Sequence, residues 1–139
     1  MSELNIDPTR LELLSASFQA LEPRGEEFTA AFYGHFLTDY PEARVVFKNV
    51  DMTHQHAKLF AALRTIVSGL QNAEPLAGYL HKLGSRHTEV RSITDADFLM
   101  FKRCLLDTFA EFLGPDWTKD VHDAWSEAFD RVSAVMHEG

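Results

Sequence analysis

The spacing of apolar residues constrains this chain more than any other feature. From end to end they recur at intervals of three or four, the period of a helix that buries one face. The two-residue alternation of a half-buried strand is absent. Leu11, Leu14, Phe18 and Leu21 form the first stripe, and Asp7 and Pro8 ahead of it supply an N-cap and a first-turn proline. Pro23, Arg24 and Gly25 interrupt it. A second helix is expected from about Glu26 to Thr38, with Phe28, Phe32, Phe36 and Leu37 apolar. Pro41 opens a short third helix reaching Phe47, and the polar residues 48–53 predict a loop or a frayed turn. Gln55, Leu59, Leu63, Ile66 and Leu70 then share one face of a long helix over about 53–70. Glu74-Pro75 starts another, with Leu76, Leu80 and Leu83 on one side, and residues 88–94 form a connection. Thr94 with Asp97 resembles a capping box for a helix that ends at Gly114-Pro115. The last helix runs from about Asp116 or Thr118 to Met136.

Short connections between amphipathic helices imply an all-α fold. At 139 residues, the chain is expected to form one domain over 1–139. A plain bundle and a set of crossed helices around a cofactor both fit this layout. Eleven Phe, two Trp and three Tyr suggest either an aromatic-rich core or an enclosed flat apolar ligand.

The formal charge of −8 disfavours nucleic acid and anionic membranes, whose phosphates would be repelled. A basic redox partner is compatible with it. Cys104 is the single cysteine, so no internal disulfide forms, and its apolar helical setting predicts a small buried residue. The opening MSELNIDPTR lacks the apolar stretch of a signal peptide, and no uncharged apolar run approaches ~20 residues. A soluble cytoplasmic protein, monomeric or weakly dimeric, is expected.

Seven histidines stand at 35, 54, 56, 81, 87, 122 and 137, and no pair forms a His-Glu-x-x-His zinc helix. The glycines are scattered, so no phosphate-cradling loop is present. No Ser or Cys nucleophile with an ordered base can be picked out. Two features remain. His87 lies near the end of a helix whose apolar face includes Leu80 and Leu83, where it is a packing residue or a ligand. Gln55 lies one turn before Leu59, where it is an exposed helix-start residue or a functional amide.

Four segments, in order along nearly the whole chain, resemble the bacterial single-domain globins and the globin domain of flavohaemoglobins. FYGHFLTDYPEARVVF (32–47) is similar to the family's second and third helices, and QHAKLFAALRTIV (55–67) to its distal helix. LGSRHTEV (83–90) is similar to the proximal histidine segment, and DAWSEAFDRVSAVM (123–136) to the last helix. The resemblance implies a haem b cofactor (iron protoporphyrin IX) with His87 as iron ligand through Nε2, its distal side open to O2, CO or NO. The His87 Nδ1–H would donate to a backbone carbonyl such as that of Leu83. Phe47 takes the haem-stacking position, Tyr33 and Gln55 the distal polar positions, and Leu59 the apolar place over the iron. Leu83, Val90 and Phe98 complete the implied haem contacts. Lys58, Arg86 and Arg44 are either propionate partners or surface residues.

Tyr33 and Gln55 would donate hydrogen bonds to the partly negative oxygen of a bound O2, each worth roughly 1 kcal/mol net, or more when the acceptor is charged. Two donors would slow O2 release by roughly one to three decades. The sequence also departs from the flavohaemoglobin pattern. Phe98 stands at the position of its proximal Tyr, and the matching Glu would fall past Gly139, so a weaker proximal push is expected. His54 and His56 flank Gln55, and either could bind iron if the helix start shifted; otherwise both are expected in solvent. Reversible O2 binding is the preferred function. NO dioxygenation with an external reductase, through the same Tyr33 and Gln55, is the enzymatic alternative, and a gas-sensing module the third.

Overall fold

The computed structural model describes residues 4–70, 75–82 and 95–138 of the chain. Helix α1 spans Pro8–Leu21, and the Asp7 carboxylate accepts the Arg10 N–H at 3.1 Å, satisfying one of its free first-turn donors. Leu14, Phe18 and Leu21 of its stripe are buried, and Leu11 packs half-buried beside them. Pro23 lacks an N–H to extend the helix, and the chain tightens into a 3-10 turn over Glu22–Arg24.

Helix α2 follows at Gly25–Asp39, burying Phe28, Phe32, Tyr33 and Phe36. Helix α3 is Glu42–Val46, capped by Pro41. Helix α4 is Met52–Gly69, and helix α5 covers 75–82 with Leu76 and Leu80 buried. Helix α6 is Asp95–Leu113. Gly114, at φ 53°, then opens a second 3-10 turn, Gly114–Asp116, a backbone state that glycine enters without a Cβ clash. Helix α7 is Lys119–Glu138, and Thr118 Oγ1 accepts the Val121 N–H at 3.2 Å at its start.

Helix α1 packs on α7 and α4, α2 packs on α6 and α4, and α6 packs on α7. One continuous apolar core results. Trp125 lies at its centre, 1% exposed, with its ring 4.4 Å from Phe109. Its indole N–H donates to Ser17 Oγ at 2.8 Å, and that hydroxyl donates to the Leu13 carbonyl at 2.7 Å. At the edge of the α1–α7 contact, Glu127 receives Arg10 at 2.6 Å and Arg131 at 2.7 Å. Gly25 sets the approach of α2 to α4, since a Cβ there would lie 3.0 Å from the Phe60 ring. Cys104 is buried, as its apolar setting predicted.

Within the described residues the helices fall where the apolar period put them, with differences at their ends. The expected loop over 48–53 is shorter, because Asp51 accepts the Thr53 N–H at 3.1 Å and starts α4 at Met52. The expected capping box rests partly on Thr94, outside the described residues; the Asp97 carboxylate accepts the Tyr40 hydroxyl, joining the end of α2 to the first turn of α6. The described residues hold no strand, and none of their helices is long and apolar enough to cross a membrane.

Candidate functional site

Along α2, Phe28, Phe32 and Phe36 repeat every fourth residue and form one buried row. Phe28 meets Phe109 of α6, and Phe32 and Phe36 meet Phe101 of the same helix. Tyr33 follows Phe32 by one residue, about 100° further round the helix. That turn aims it at α4, where it is 3% exposed. The first turn of α4, fixed by the Asp51 cap, brings Gln55 to the same place.

Gln55 Nε2 donates to the Tyr33 hydroxyl oxygen at 2.9 Å. The amide thus occupies a phenol lone pair and does not take the phenolic hydrogen. Among the described residues, no side chain or carbonyl accepts that hydrogen. Burial pushes the Tyr33 pKa up to about 12, although the Gln55 hydrogen bond pulls it the other way. Near neutral pH the group is therefore a fixed O–H donor, not a phenolate.

Apolar and flat groups surround this polar pair. Phe47, half-buried after α3, meets the Tyr33 ring edge-on at 5.6 Å and 74°. Phe32 meets it at 4.9 Å and 69°. Leu59, one turn beyond Gln55, is 8% exposed. His56 lies against the Tyr33 ring with centroids 5.1 Å apart and planes within 12°. This corrects in part the expectation that His56 stands in solvent: α2 packs over the start of α4 and leaves it half-buried. His54 does stand in solvent, with Nδ1 3.7 Å from Asp51.

The other implied contacts lie apart from this cluster or outside the described residues. Lys58 is exposed, and Arg44 Nε donates to the Leu37 carbonyl at 2.8 Å. Phe98 is half-buried in the first turn of α6, packed against the core. Leu83, Arg86, His87 and Val90 lie outside the described residues. Among the described residues, no group of three or more His, Cys, Asp or Glu is placed to hold a metal ion. Sequence reasoning missed two members of the cluster, the stacked His56 and the edge of Phe32. An Asp followed by a helical run was a legible cap signal for Asp51; for the His56 stack no local signal exists.

The globin family model matches residues 30–136. Haemoglobin subunit zeta of Equus caballus is 30% identical over 109 residues, covering 73% of this chain and 75% of the relative. Leghaemoglobin of Psophocarpus tetragonolobus is 27% identical over 133 residues, covering 89% and 90%. Haemoglobin subunit zeta of Mus musculus is 25% identical over 130 residues, covering 91% and 92%.

Proposed function

The chain belongs to the globin family, and from that membership we propose that it binds haem b and takes up O2 reversibly, with Tyr33 and Gln55 retaining the gas. Residues 1–139 form the globin domain in this reading, similar to bacterial single-domain globins. His87 is the iron ligand, and Leu83, Val90, Phe98, Phe47 and Leu59 contact the haem. When bound, haem supplies an iron whose distal side is open to a diatomic gas.

The observation that carries the reading is the donor set beside α4. A flat apolar ligand with a polar gas at its centre needs apolar walls and a small number of placed donors. Phe47 and Leu59 supply walls, and Tyr33 supplies a buried O–H with no acceptor among the described residues. These residues suit the distal face of a haem. Gln55 holds the phenol oxygen by donating to it, which leaves the Tyr33 hydrogen to point at a guest. Donation from the amide also polarises the phenol, making its hydrogen a stronger donor than an isolated tyrosine offers. Burial keeps the proton in place and strengthens the bond it makes.

Haemin titration of the purified protein tests the reading. Expected is stoichiometric uptake and, after reduction, the spectrum of a ferrous haem with one protein ligand that shifts on exposure to O2 or CO. His87→Gly should remove that ligand, and added imidazole should restore the spectrum. A protein that takes up no haemin, or whose His87→Gly variant keeps the parent spectrum, contradicts the assignment.

A further inference from the structure

Gln55 and His56 follow one another in the first turn of α4, and both reach Tyr33. Adjacent helical residues diverge by about 100° and do not ordinarily serve one partner. Here the amide meets the Tyr33 hydroxyl at 2.9 Å while the imidazole lies nearly parallel to its ring, with centroids 5.1 Å apart and planes within 12°. Phe47 and Phe32 close on the ring edge-on, at 74° and 69°. The hydrogen bond fixes the oxygen and the rings fix the plane. Remove the flat partner and the phenol gains a direction in which to swing, carrying its O–H off line.

The geometry points to His56 as the positioning residue of Tyr33, a flat ring that holds the phenolic O–H in one direction. This rests on the gas-retaining role proposed for Tyr33. His56 does not touch the gas; it acts through Tyr33. Ring shape, not charge, is what the role needs, because Gln55 and not His56 makes the hydrogen bond. An aromatic pair of this kind shifts an equilibrium by about two- to tenfold.

The test uses the haem-loaded protein as four variants: His56→Leu, His56→Phe, Tyr33→Phe, and the double variant His56→Leu/Tyr33→Phe. Two readings are taken, the O2 dissociation rate and the stretching frequency of CO in the ferrous protein, which senses the donor beside it. Expected for His56→Leu is a rate about two- to tenfold faster and a CO band moved toward that of Tyr33→Phe. His56→Phe should restore both readings to within about twofold of the parent. In the Tyr33→Phe background, His56→Leu should change neither. In the haem-free protein, NMR should show the His56 ring protons shifted upfield by the Tyr33 ring current, a shift lost in Tyr33→Leu. This measurement and His56→Phe decide the matter if His56→Leu does not fold.

The inference is overturned if His56→Leu matches the parent while Tyr33→Phe does not, or if its effect survives undiminished without Tyr33. It is also overturned if His56→Leu abolishes a six-coordinate spectrum in the unliganded ferrous protein, since His56 would then be on the iron. If Tyr33→Phe itself changes neither reading, the gas-retaining role of Tyr33 falls, and this inference with it.

Discussion

Two buried aromatic side chains with polar tips, Trp125 and Tyr33, are held by polar partners in contrasting ways. The Trp125 indole N–H donates to Ser17 Oγ, and that hydroxyl donates onward to the Leu13 carbonyl. The chain of donors closes on the backbone, and each hydrogen in it has an acceptor. At Tyr33 the direction is reversed: the partner donates inward, and the phenolic hydrogen finds no acceptor among the described residues. Closed networks hold a core in one arrangement, because breaking any link strands a buried polar group. An open one leaves a donor available, which is what the role proposed for Tyr33 needs. The α1–α7 side of the molecule thus carries a closed polar network, and the α2–α4 side the open one that the proposed gas-retaining role requires.

Substitutions can break or sharpen that contrast. Trp125→Ala removes the largest fully buried side chain and should destabilise by about 3–5 kcal/mol in thermal or urea unfolding. Ser17→Ala leaves the indole N–H without its partner and should lower stability by about 1–3 kcal/mol, with O2 release unchanged. Gln55→Leu should do the opposite: stability nearly as in the parent, but O2 release faster by about fivefold once the phenol oxygen is no longer held. A large stability loss in Gln55→Leu, or a changed O2 rate in Ser17→Ala, would erase the distinction between the two sides.

A further effect lies at alkaline pH. Burial raises the Tyr33 pKa from its ordinary value of 10.0 to about 12. Its contribution to stability is full below the lower value and is lost as pH rises through the higher, because the unfolded chain gives up the proton first. Unfolding free energy should therefore fall over that window, and Tyr33→Phe should flatten the fall. An equal slope in the variant would mean the phenol is not buried in solution.

Most of the fold was legible because each helix carries its own signals. Asp7–Pro8, Pro41 and Gly114-Pro115 mark ends by backbone chemistry that does not depend on the rest of the molecule. Both 3-10 turns were missed, since a proline says that a helix stops but not how the chain leaves it. The aromatic excess was less informative than its size suggested. Phe28, Phe109, Phe112, Trp117 and Trp125 pack mainly on one another, away from Tyr33. The site was legible only through resemblance. Tyr33 and Gln55 are 22 positions apart, and no periodicity says that their helices meet. His56 shows the limit most sharply: a polar residue at a helix start looks solvent-exposed until a neighbouring helix lies across it.

The O2 dissociation rate of the ferrous protein, parent against Tyr33→Phe, tests the central claim most directly. The substitution deletes the phenolic hydrogen and leaves the ring, so haem uptake should hold. Expected is slow release in the parent and release faster by roughly ten- to a hundredfold in the variant. A parent that releases O2 quickly, at a rate the substitution does not change, would contradict the claim that Tyr33 keeps its proton for the gas.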